Sequence, residues 1–152
     1  MAQVKLVNYD EASAEVRAVF DDIMATRKTD YINNIWRALA SHPPVLKRFW
    51  TQMKEVMVKP SRLDPLTKEL IYLAVSINNN CDYCINSHTF AARKHGLDDA
   101  MLAELTEVIA LANAGNRLTI GLQVEPDERF KPDRPTKAWS LGARKTAAKK
   151  SK

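Results

Sequence analysis

The chain has 152 residues, 45% of them hydrophobic, and a formal net charge of +5. That length and composition fit one soluble globular domain with a real core, and no stretch approaches the roughly 18 to 20 apolar residues of a membrane span. The charge is uneven: Pro126 to Lys152 hold nine Lys/Arg against three Asp/Glu, which leaves residues 1–125 near neutrality. The opening segment MAQVKLVNYDEASAEV lacks the apolar stretch of a signal peptide. A cytoplasmic protein is therefore expected, with its thiols normally kept reduced.

In chain order, every segment before the tail reads as helix. From Glu11 to Met24, Val16, Val19, Phe20, Ile23 and Met24 recur at helical spacing. A short helix is expected around residues 33–40. The SHPP stretch then restarts the chain, with Ser41 or His42 ahead of two prolines suited to a first turn. Val45, Leu46, Phe49, Trp50 and Met53 share the next apolar face, and Lys59-Pro60 ends that run. Asp64 and Pro65 are a cap and a first-turn proline. The helix they open, to about Ile77, is apolar on most sides and is expected to lie buried in its domain. On it Glu69 falls between the apolar face and a polar stripe of Lys68, Tyr72 and Ser76.

The run NNNCDYCINSH, residues 78–88, breaks this helix. Asn80 is expected to cap a new helix beginning at Cys81, with Gly96 ending it and Asp98 capping the next. Met101, Leu102, Leu105, Val108 and Ile109 make that helix amphipathic, and a separate last helix is expected over residues 113–123. No alternating strand pattern and no glycine-rich phosphate loop occur. The expected fold class is all-α, with a helical domain over residues 1–125 and a basic, extended or disordered tail over 126–152. A lysine-rich tail is an electrostatic feature that could meet nucleic acid. Trp139 is its only aromatic besides Phe130 near its start, so a solvated charge run is the favoured reading.

Cys81 and Cys84 are the only cysteines in the chain. At about 100° per helical residue, Cys84 falls roughly 300° and His88 roughly 340° around from Cys81, so all three share one face. Three readings stay open for this group. Zinc would find three ligands in C-x2-C-x3-H, whereas a structural site normally closes with four. Two core cysteines beside a satisfied histidine would need no chemistry at all. A redox pair is favoured by position, because backbone N–H groups and the dipole at a helix start stabilise a thiolate. Thioredoxin-type CxxC motifs accompany a βαβ unit, and none is read here.

Glu69, Cys81, Cys84 and His88 together reproduce E-x11-C-x2-C-x3-H, and the match runs over residues 63–100. The chain thereby resembles the alkylhydroperoxidase D group of the carboxymuconolactone decarboxylase superfamily. The resemblance implies an all-helical fold assembled as trimers or hexamers, and thiol-dependent reduction of hydroperoxides. It implies Cys84 as the attacking cysteine, Cys81 as the resolving one, and His88 with Glu69 as a proton relay. The implied partners are a hydroperoxide substrate and an external thiol or dithiol reductant, with no metal and no cofactor. Where the best-characterised branch has a second histidine before the attacking cysteine, this chain has Tyr83. The decarboxylase branch lacks the cysteine pair. A redox sensor or disulfide adaptor, using the same pair without turnover, is the alternative function.

Overall fold

The structure is a computed structural model, and it describes residues 2–130. Among the described residues it is all-helical and contains no strand. Six α-helices follow one another: α1 Ala14–Arg27, α2 Asn34–Leu39, α3 Pro43–Met53, α4 Pro65–Asn78, α5 Asp82–Lys94 and α6 Asp99–Gly121. Helix α3 runs on into a π-helical segment, Lys54–Val58, and a 3₁₀ turn follows at Glu128–Phe130. The expectations for residues 131–152 of the tail lie outside the described residues.

The chain divides into two compact units, at Glu107 and Val108. The first holds two apolar clusters. In one, Val16, Phe20 and Ile23 of α1 pack with Trp36, Leu46 and Trp50 of α2 and α3. Burying Phe20, Ile23 and Leu46 completely is worth about 1.5–3 kcal/mol each. A polar tie crosses the same helices: Asp22 Oδ2 accepts from Trp50 Nε1 at 2.7 Å and from Lys54 Nζ at 2.6 Å. These two bonds, Lys54 first, hold the Asp22 carboxyl below its ordinary pKa. The second cluster centres on Leu73, Ala92 and Leu97, with Leu70, Ile85 and Met101 against it. Helices α4 and α5 pack more extensively on each other than any other pair.

Helix starts follow local chemistry. Ser13 Oγ caps α1 through Val16 N, so the helix begins three residues after the expected Glu11. Asp64 caps α4 by accepting from Thr67 N at 2.9 Å, and Asp98 accepts from Met101 N at 2.7 Å. Gly96 ends the α5 turn at φ +103°, a conformation that L side chains rarely adopt.

Three expectations are corrected. Cys81, not Asn80, is the N-cap of α5, because Asn80 takes a left-handed φ of +52° and reverses the chain. The expected break near residue 113 does not occur. Gly115 costs helix propensity but removes no backbone hydrogen bond, so α6 continues to Gly121. Nor is α4 buried all round: Ile71 and Val75 are half exposed, while Lys68 and Ser76 from the expected polar stripe are buried.

In the second unit, Val108, Leu111, Leu118, Ile120 and Leu122 are all more than 60% exposed. Among the described residues no helix is long and apolar enough to cross a membrane.

Candidate active site

The turn Asn79–Cys81 places the cysteines against the end of α4. Cys81 N donates to Ser76 O at 3.1 Å, and Ile85 N returns a bond to Cys81 O at 2.9 Å. At the cap position the Cys81 sulfur itself accepts from Cys84 N at 3.3 Å, the task usually done by a serine or aspartate oxygen. The two residues are disulfide-bonded, with Cα atoms 5.2 Å apart. Both are half-buried, and both line a cavity of about 380 Å3.

The cavity wall is mainly hydrocarbon. Val56 and Met57 come from the π-helical segment, Leu63 from the following loop, and Ile71 and Val75 from α4. Lys68, Tyr72 and Ser76, successive turns of α4, and Asn79 at its C-cap complete the face that runs toward the sulfurs. Such a volume falls within the roughly 300–1,000 Å3 of small-molecule sites.

One turn after Cys84, His88 points across to α4. Its Nδ1 lies 2.6 Å from Glu69 Oε2, and the two side chains are only 15% and 13% exposed. The Tyr72 ring stacks on the imidazole with centroids 3.6 Å apart. Tyr72 therefore stands with one face on the Glu69–His88 pair and lines the cavity holding the disulfide. An imidazole fixed in this way can hold or pass a proton, with the carboxylate setting which ring nitrogen carries it.

The four residues singled out by spacing thus form two pairs, Cys81–Cys84 and Glu69–His88, and Tyr72 touches the second while lining the cavity of the first. Tyr83, by contrast, turns to the other side of α5. Its hydroxyl accepts from Ile35 N at 3.3 Å, and it lines a separate, more polar groove with Arg27, Asn86 and Lys94. His95 is exposed at the C-cap of α5, and His42 takes the N-cap position of α3 without a side-chain bond. Among the described residues, no group of three or more His, Cys, Asp or Glu side chains is arranged to hold a metal.

Sequence reasoning missed the stripe Lys68, Tyr72, Ser76. Its four-residue spacing was visible, but polar character placed it outside. The usable signal was that this stripe runs straight into the cysteine turn.

Fold and site together define a protein, all-helical over the described residues, with a CxxC pair opening one helix that also carries the histidine of a part-buried Glu–His pair. The comparisons agree with that class. The carboxymuconolactone decarboxylase family matches residues 44–124, and the chain belongs to that family. Among solved structures it is similar to the alkylhydroperoxidase AhpD core from Rhodospirillum rubrum, at 52% identity and a TM-score of 0.84. The likeness covers 88% of this chain and 99% of that one. No curated protein matches the chain.

Proposed function

We propose that the protein is a thiol-dependent peroxidase of the alkylhydroperoxidase D type. The observation that carries the reading is a disulfide-bonded pair on the wall of an apolar cavity, one helical turn along α5 from the histidine of a part-buried Glu–His pair. In the reduced enzyme the Cys84 thiolate attacks the distal oxygen of a hydroperoxide. The O–O bond breaks, the alkoxide leaves with a proton as alcohol, and Cys84 becomes a sulfenic acid. The Cys81 thiol then displaces that hydroxyl as water and forms the disulfide, before further oxidation can occur. An external thiol or dithiol returns the pair to the reduced state by exchange. His88, held by Glu69, activates Cys84 and hands on the proton, with no metal or cofactor. The proposed setting is cytoplasmic, and the proposed assembly a homo-oligomer.

Single-cysteine variants test the assignment. Cys84→Ser should abolish hydroperoxide reduction and leave no sulfenic acid to trap. Cys81→Ser should permit one attack, giving a trappable sulfenic acid on Cys84 that over-oxidises in excess peroxide. Sulfenic acid found on Cys81 instead would reverse the roles. Sustained peroxide consumption with a dithiol donor separates the enzyme from a sensor or adaptor, which would stop after one stoichiometric oxidation.

A further inference from the structure

Lys68 is 7% exposed and lines the same cavity as the two sulfurs. Its Nζ donates to one acceptor, the Lys59 carbonyl at 2.9 Å, although an ammonium carries three donors. Among the described residues it forms no ion pair, unlike Lys5, Lys54 and Lys59. Buried cations are normally paired, because removal from water is costly without a counter-charge. The wall around it is Val56, Met57, Leu63, Ile71 and Val75, none of which can supply one.

Position gives this charge a use. Along α4, Lys68 lies one turn before Tyr72 and two before Ser76, so it sits roughly 12 Å of helix axis from Ser76. Cys81 bonds to Ser76, so the cysteines mark the opposite end of the cavity. A molecule lying along the stripe would meet a cation at one end, hydrocarbon between, and sulfur at the other.

We propose that the cavity takes a single-chain hydroperoxide bearing a carboxylate, whose anionic head is held by Lys68 while its alkyl body lies on Ile71 and Val75. This substrate class rests on the peroxidase reading of the site. One ammonium and about 380 Å3 suit one chain with one charge, which excludes a two-chain phospholipid. The carboxylate supplies the counter-charge that the protein leaves out, and the alkyl chain sets how far the reacting group reaches.

Binding tests this apart from turnover, using the full-length oxidised protein and unreactive probes. Calorimetry with octanoate and with octanol compares the same chain with and without charge. Octanoate should bind at least about tenfold tighter, the scale of a charged hydrogen bond in a dry site. Lys68→Met keeps the apolar stem and should erase that preference while leaving octanol affinity unchanged. Equal binding of the two probes by the wild type overturns the proposal without recourse to any variant. So does a Lys68→Met variant that still prefers octanoate, which would leave Lys68 only tying the Lys59 loop to α4. Turnover of a small neutral hydroperoxide by the same preparation reports on the peroxidase reading separately.

Discussion

The Glu69 carboxylate, 13% exposed and 2.6 Å from the His88 imidazole, is withdrawn from bulk water and has one partner to act on. Glu69→Gln keeps the size and a hydrogen-bonding group but removes the charge that orients and supports a protonated ring. On the proposed chemistry it should slow hydroperoxide reduction by about 10²-fold or more, the scale of general acid–base groups. Stopped-flow oxidation of the reduced variant measures this directly, and a rate within threefold of the wild type, roughly 0.7 kcal/mol in barrier, removes Glu69 from the relay. In the sequence Glu69 falls on the border between an apolar face and a polar stripe, where nothing local marks it out. The deciding fact is tertiary: α5 turns back along α4, and only that packing brings a residue 19 positions later into hydrogen-bond range. The cysteines were easier to read, because three residues of separation within one helix start fix their proximity locally. Lys68 was harder. A lysine in a polar stripe normally faces water, and nothing local announces that the π-helical segment and its loop cover it.

Elements were legible where local chemistry decides them. Asp64-Pro65 starts α4 and Gly96 ends α5, because capping and left-handed backbone are properties of a few adjacent residues. Termination by a weak former was misjudged: Gly115 alone does not stop α6. The change from α to π geometry after Met53 has no sequence mark in the KEVMV segment. It is the kind of local irregularity often found beside functional sites, and here two of its side chains line the cavity. The Asp22 tie between α1, α3 and that segment gives a stability prediction. Asp22→Ala leaves the buried Trp50 N–H without its acceptor, which should cost about 1–3 kcal/mol in urea unfolding. Asp22→Asn retains an acceptor and should cost less. Because the folded carboxyl is held below its ordinary pKa, its contribution is complete above the unfolded value and lost as pH falls through the folded one. Unfolding midpoints measured below about pH 4, the unfolded aspartate range, should therefore drop less in Asp22→Asn than in the wild type. An identical acid profile in both proteins would show that the Asp22 charge contributes nothing to stability.

Over the whole molecule, apolar side chains at Leu111, Leu118, Ile120 and Leu122 stand more than 60% exposed. Large apolar side chains left exposed in such number mark association in soluble proteins. Light scattering should return a multiple of the 17.2 kDa chain mass, and Leu111→Glu with Leu118→Glu should shift it toward a single chain. A wild-type mass of one chain at micromolar concentration ends the assembly proposal. The cavity has a kinetic consequence of its own, since Cys81 and Cys84 both open into it. On the proposed chemistry, peroxide and reductant would both reach sulfur from this cavity and take turns there. Double-reciprocal plots against one at several fixed levels of the other should give parallel lines, the pattern of a substituted-enzyme scheme. A compound lodged in the cavity should slow oxidation and re-reduction alike, and excess peroxide should compete with the reductant. Intersecting lines would mean that peroxide and reductant are held on the enzyme together, with no separate oxidised form between them.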